Sequence, residues 1–293
     1  LVGSEMCIRD RIMAVGNRDG TVRVRQMCRD GQRDSAEILD LILTTPARSV
    51  VSVALSENGE TLATGDKDGQ ICLWSLPTGQ LTQVTETRAG TIDALALSAD
   101  GQTLVSSHTD KALRVWRMDG QAGLHLHHTL IGHAHMVWSV AFGPPPHPGA
   151  PDNRARQLIA SASSDQTVRV WDAESGQSIY TLRGQPRALG SMAIVPLPPG
   201  RSTAPQWLLA AVGYDQQVHL WQGRGASADL PHRALGGQNG PLFTVAISPD
   251  SRIVASAGRD QTIDLWDLAS GQIRQTLHGH TNSLMSLAFN GDG

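Results

Sequence analysis

An all-β fold assembled from one repeated unit of four short antiparallel strands is predicted by three observations. Five tryptophans, Trp74, Trp116, Trp171, Trp221 and Trp266, recur 42, 55, 50 and 45 residues apart, and self-similarity on that scale marks a repeat architecture. Each closes a stretch in which apolar and polar residues alternate (QICLW, ALRVW, TVRVW, QVHLW, TIDLW), the period of a half-buried strand. An aspartate stands six residues before each: Asp68, Asp110, Asp165, Asp215 and Asp260, with a sixth, Asp19, six residues before Arg25 where the tryptophan is replaced.

In chain order, residues Leu1 to Arg11 (LVGSEMCIRDR) read as a non-native read-through segment and are set outside the fold. The repeat domain is expected over 12–293. Its first piece offers three strands, Ile12–Gly16, Thr21–Arg25 and Ile38–Thr44. Five full units then start near Val50, Thr91, Met136, Leu189 and Leu242. Each opens on an apolar strand (VSVALS, IDALALS, WSVAFG, GSMAIV, FTVAIS) and continues with a second (TLATG, TLVSS, LIASAS, LLAAVG, IVASAG). The third strand ends at the tryptophan. The fourth follows turns such as Thr78-Gly79-Gln80 and Ser175-Gly176-Gln177. Leu284–Asn290 is expected as one further strand. The pieces at the two ends sum to one unit, which is compatible with six units in a closed ring, where shared ends remove open sheet edges. The chain is expected to be truncated at both ends.

Gly132-His133, WSVAF, IASASSD and TVRVWD follow one another within a single unit that ends in Trp171-Asp172, and Trp266-Asp267 and Gly279-His280 add two more signature pairs. From Ile12 onward the chain resembles the WD40 family. That resemblance implies a WD40-type β-propeller: five full four-stranded blades plus partial blades at both ends, from a parent of seven blades or more. It also implies a buried brace in each blade, complete once as His133, Ser161, Asp165 and Trp171. An imidazole can donate to a carboxylate and accept from a hydroxyl while an indole N–H closes the chain. Elsewhere the histidine position holds Pro46, Arg88, Gln185 and Gln238, and the hydroxyl position holds Thr64, Ser106, Ala211 and Ser256. The Ser-His-Asp set could also be read as a hydrolase triad, but geometry and not residue type defines one.

The resemblance further implies one binding face, built by the residues that enter each first strand and those just before the turn aspartates. Read onto this chain, those positions include Met136, Trp138, Tyr214, Phe243 and Met285, with Arg18, Lys67, Asp93 and Arg259 among them. Aromatic residues are only 4% of the chain, yet Trp138, Tyr214 and Phe243 fall here in three successive units. Aromatic and arginine side chains dominate interface hot spots; the plainer reading is that they fill a channel mouth or pack between blades.

Composition excludes some classes of function. Net charge is −3 and 17% of residues are charged, so no strong field draws the chain to nucleic acid or an anionic membrane. No apolar run reaches the ~18 residues of a membrane span. Three cysteines without CxxC spacing (Cys7, Cys28, Cys72) suit a reducing, cytoplasmic setting. The histidines at 125, 127, 128, 133 and 135 lack a carboxylate or cysteine at metal-ligand spacing and read as a solvated strand edge plus the brace. Neither a metal nor a cofactor is expected. Two proline-rich insertions, 143–157 and 196–206, read as loops. The nucleotide and hydrolase motifs GxxxxGK[ST], GxSxG and HExxH do not occur. The expected function is therefore a non-enzymatic scaffold that binds a protein or peptide. By resemblance it is the regulatory propeller of a prokaryotic multidomain signalling protein such as a STAND-type NTPase or a kinase. An enzyme with its site in the channel or the inserted loops is the alternative.

Overall fold

The computed structural model describes residues 6–9, 12–26, 40–46, 49–119, 123–144, 157–183, 185–197, 206–224 and 230–289. These residues form 24 strands and no helix, in six four-stranded sheets. No helix of the described residues is long and apolar enough to cross a membrane. Two compact units result, residues 1–129 and 130–293.

The first unit holds three sheets. Sheet 1 is β1 (Met6–Arg9), β2 (Ile12–Gly16), β3 (Thr21–Gln26) and β4 (Asp40–Thr44). Sheet 2 is β5 (Val50–Leu55), β6 (Thr61–Asp66), β7 (Gln70–Ser75) and β8 (Gln80–Glu86), and sheet 3 is β9 (Ile92–Leu97), β10 (Thr103–His108), β11 (Leu113–Asp119) and β12 (Gly123–Leu130). Val22, Val24, Val53 and Leu62 join sheets 1 and 2 in one core, and Ala63, Leu73, Ile92 and Leu104 join sheets 2 and 3 in another.

The second unit repeats the plan. Sheet 4 is β13 (Val137–Phe142), β14 (Leu158–Ser163), β15 (Val168–Asp172) and β16 (Ser178–Leu182). Sheet 5 is β17 (Leu189–Pro196), β18 (Gln206–Gly213), β19 (Gln217–Arg224) and β20 (His232–Gly236), and sheet 6 is β21 (Leu242–Ile247), β22 (Ile253–Gly258), β23 (Ile263–Asp267) and β24 (Ile273–Leu277). Val168, Val170, Leu209 and Trp221 pack sheet 4 on sheet 5, while Leu208, Val218, Val245 and Val254 pack sheet 5 on sheet 6. Alternation explains both contacts, because successive side chains leave opposite faces of a strand and each middle strand feeds two cores.

Two local devices recur. A hydroxyl on the first strand accepts a backbone N–H from the chain packed beside it: Ser52 from Leu95 at 2.9 Å, Ser139 from Met192 at 3.2 Å and Thr244 from Leu287 at 3.0 Å. The turn between second and third strands places a residue in the left-handed region directly after each turn aspartate: Gly20, Gly69, Lys111, Gln166, Gln216 and Gln261, at φ between 66° and 85°. Glycine takes that conformation at no steric cost; the other four hold it because the flanking ladder pins both ends of the turn.

Two expectations are corrected. Sheet 1 has four strands, since Met6–Arg9, set outside the fold above, pairs with Ile12–Gly16 in the register Met6↔Val15 to Arg9↔Ile12. An open strand edge takes up an adjacent segment that can satisfy its unpaired amides. Conversely, the described part of Leu284–Asn290 is not a strand. Leu287 occupies the place that Leu95 and Met192 hold on other sheets, but among the described residues no second strand pairs with it to make a ladder.

Candidate interaction face

In every sheet the turn carrying the aspartate lies at the end where the first strand begins. The residue before the aspartate donates its N–H to the chain just ahead of that strand: Thr109 to Thr91 O, Ser164 to Met136 O, Tyr214 to Ala188 O and Arg259 to Pro241 O, all at 3.0–3.2 Å. Each sheet thereby presents two segments side by side at one end. What fixes them is the polar network beneath.

In sheet 4 that network is complete. Asp165 Oδ2 accepts from His133 Nδ1–H at 2.8 Å, His133 Nε2 accepts from Ser161 O–H at 2.8 Å, and Ser161 Oγ accepts the Trp171 indole N–H at 2.9 Å. Ala134 N–H, Thr167 N–H and the Thr167 hydroxyl also donate to Asp165. Burial works to raise the Asp165 pKa, but these donors outweigh it and hold the carboxyl at about 2. Burial lowers the His133 pKa despite its carboxylate partner. The connectivity is that of a Ser-His-Asp triad, yet Ser161 is fully buried and its oxygen is occupied by the indole N–H. A substrate carbonyl has no approach to that hydroxyl, so the set braces the blade.

Sheets 3, 5 and 6 answer the missing histidine in different ways, and the roles of His108 and His219 are not foreseen by the sequence reading. In sheet 3 it comes from the second strand: Ser106 Oγ lies 2.7 Å from His108 Nε2 and accepts the Trp116 indole N–H at 2.8 Å. Burial, reinforced by Arg114, holds His108 down at about 4. In sheet 5 it comes from the third strand. His219 Nε2 donates to Asp215 Oδ2 and its Nδ1 lies 3.0 Å from His232 Nε2, with Trp221 stacked beside both rings. In sheet 6 Gln238 Oε1 stands in for the imidazole, accepting from Ser256 O–H at 2.6 Å while Trp266 donates to Ser256. The available signal was period-two alternation, which puts His108 on the face of Ser106 and His219 on the face of Trp221.

The six aspartates consequently differ in role, a correction to the single one expected of them. Asp165 and Asp215 meet an imidazole. Asp110 accepts both Arg114 guanidinium nitrogens at 2.7 and 3.2 Å. Asp19 closes its turn on Thr21, and Asp260 accepts the Thr262 N–H at 3.4 Å. Asp68 is exposed. Its place is taken by buried Asp66, whose Oδ1 accepts from Asp68 N–H and Gln70 N–H at 2.9 and 2.8 Å.

Sheet 5 retains one defect. Gln185 holds the position of Gln238, but Ala211 replaces the serine, and both Gln185 amide atoms are buried without a partner among the described residues. Ala211→Ser is expected to raise stability by about 1 kcal/mol by supplying that partner. A lower unfolding midpoint for this variant would mean that the site cannot take the hydroxyl.

At the turn end of the second unit, Trp138 is 43% exposed and donates its indole N–H to Ser164 Oγ at 2.6 Å. Tyr214 is 51% exposed and meets half-buried Phe243 of the next sheet edge-to-face, centroids 6.2 Å apart. Met285 is 48% exposed, Met136 half-buried and Arg259 exposed. Tyr214 and Phe243 therefore form one aromatic pair across two sheets, while Trp138 is held by its own turn. At the corresponding end of the first unit Arg18 and Lys67 are exposed and Asp93 is half-buried. Burial raises the Asp93 pKa to about 6. Of the other features weighed above, His125 is exposed on β12, the outermost strand of sheet 3. Most of both proline-rich insertions lies outside the described residues.

Comparison with known proteins agrees with this architecture. The WD40 family (WD domain, G-beta repeat) matches residues 40–75, 79–117, 124–172 and 230–267, more than half of the chain. Nuclear distribution protein PAC1 of Arthroderma otae is 29% identical over 274 residues, 86% of this chain and 58% of its own length. PAC1 of Arthroderma benhamiae is 32% identical over 160 residues, 53% of this chain and 32% of its own. Nuclear distribution protein nudF of Emericella nidulans is 28% identical over 272 residues, 86% and 57%. The chain thus spans less than two thirds of the length of these curated relatives.

Proposed function

This chain belongs to the WD40 family, and from that premise we propose that it is a non-enzymatic scaffold whose turn end grips a protein or peptide partner. The observation that carries the reading is the exposure of Trp138, Tyr214 and Met285 at one end of a rigid braced unit. Large apolar side chains left in water at a fixed position cost free energy that a partner recovers by covering them. Arg259 adds a charge at that end of the second unit, and the first unit carries Arg18, Lys67 and Asp93 at its own turn end, charges that set which partner fits each. The work is binding and regulation inside a larger assembly, in the cytoplasm. Relatives named as nuclear distribution proteins carry the same repeat region over 57–58% of their length. They are fungal, and so lend no support to the prokaryotic signalling context drawn from the sequence.

Affinity capture with the intact chain as bait tests this reading. Trp138→Ala should weaken partner retention by about tenfold or more, a hot-spot effect. Its unfolding free energy should stay within about 1 kcal/mol of the parent, as for a surface residue. Retention that survives both Trp138→Ala and Tyr214→Ala would overturn the assignment.

A further inference from the structure

At the turn end of sheets 2 and 3, the buried polar atoms left without a hydrogen-bond partner among the described residues include Asp93 Oδ2 and Ser49 Oγ. Ser49 directly precedes β5, and Asp93 is the second residue of β9. The hydrogen bond from Leu95 N–H to Ser52 Oγ sets these neighbouring strands level, so both orphaned atoms lie at the same end. Buried polar groups are normally satisfied, and each exception asks for a reason. No structural role accounts for Asp93. The corresponding places on other first strands hold Val51, Trp138, Gly190 and Phe243, so the ladder and core do not require a carboxylate there. The turn below is served by Asp110 with Arg114.

We propose that Asp93 is a recognition carboxylate that receives a lysine or arginine side chain of the bound partner, with Ser49 a second acceptor at the same end. This rests on the reading of the turn end as the interaction face. The chemistry favours that occupant over others. A cation both neutralises the carboxylate and donates hydrogen bonds to it, whereas a neutral donor leaves the charge uncompensated. Apolar partner groups would deepen its burial and increase the penalty. The site is therefore selective by default: a partner without a basic group at this point meets an unpaired acid.

Selection of peptides from a random display library against the full chain tests the idea. Enriched peptides are expected to share one lysine or arginine. A synthetic enriched peptide should bind about tenfold more weakly to Asp93→Asn, and as weakly to the parent when its basic residue is exchanged for norleucine or citrulline. On binding the parent, the Asp93 carboxyl carbon should titrate at lower pH by NMR, a change that a merely structural Asp93 would not show. Peptides that depend on Trp138 but carry no basic residue would overturn the Asp93 proposal and leave the proposed interaction face standing. Basic peptides that bind parent and Asp93→Asn alike would overturn it as well. Recovery of no peptide dependent on either residue would count against both readings.

Discussion

Asp165→Ala is expected to lower the unfolding free energy by about 2–3 kcal/mol at neutral pH, because the substitution strands several donors at once. His133 Nδ1–H, Ala134 N–H, Thr167 N–H and the Thr167 hydroxyl all converge on this carboxylate, and a buried donor left unmade costs about 1–3 kcal/mol. Losing the acceptor also releases the imidazole that orients Ser161 and Trp171. Asp68→Ala is the internal control. Asp68 occupies the same position in sequence but is exposed, so its loss should stay within about 0.5 kcal/mol. Equal effects at the two sites, measured by denaturant unfolding, would refute the distinction between them.

The same network sets an acid limit. The Asp165 pKa is depressed to about 2 from an ordinary 3.8, so its contribution is fully present above about pH 4 and is lost as pH falls towards 2. That contribution is worth about 2 kcal/mol. His133 acts in the same direction. Burial keeps it neutral in the folded chain, so below its ordinary pKa the unfolded chain takes up a proton that the folded chain refuses. Asp165→Ala should therefore flatten the acid limb of the stability profile.

Asp93→Asn is expected to do the opposite at neutral pH and to stabilise the chain by about 1–2 kcal/mol. The native carboxyl titrates at about 6, against 3.8 when unperturbed, because burial disfavours its charge. A folded-state pKa raised in a carboxyl means that the native state holds a proton the unfolded state has released. Stability then falls as pH rises from about 4 to 6 and stays low above that. Full conversion of the shift would give about 3 kcal/mol; the residue's partial exposure reduces this through solvent screening. The gain from asparagine should be present at pH 8 and absent near pH 4. A gain equal at both pH values would show that the charge is not its source. Stability given up at a residue that also recognises a partner is the usual relation between function and fold.

How much was legible differs between strands and side-chain networks. Period-two patterning and the aspartate-to-tryptophan spacing place the second and third strands to within three residues at either end, because a strand buried on one face leaves little choice of register. The first strand of sheet 1 escaped, since Leu1 to Arg11 reads as a read-through segment and so stands outside the repeat pattern. The predicted strand at 284–290 failed for the converse reason: its pattern is sound, but a strand exists only with a partner to pair against. Among the candidate site residues, Trp138 and Tyr214 are exposed and Phe243 is half-buried, and nothing in the spacing foretold that Tyr214 and Phe243 would meet across two sheets.

What the amino-acid order determined by itself is the repeat: which residues alternate, where each turn must fall and which polar types each unit carries. Those are local properties, set by pleat geometry and turn chemistry within about ten residues. Only the folded molecule decided which group answers for a missing one: His108 completes the brace of sheet 3 from its second strand, Gln238 bonds Ser256 in sheet 6, His219 engages Asp215 in sheet 5, and Asp66 displaces Asp68. The physical reason is that a buried hydroxyl or indole N–H requires a partner of suitable chemistry at hydrogen-bond distance, whichever strand delivers it. Distance in space, and not separation in sequence, is what that requirement measures.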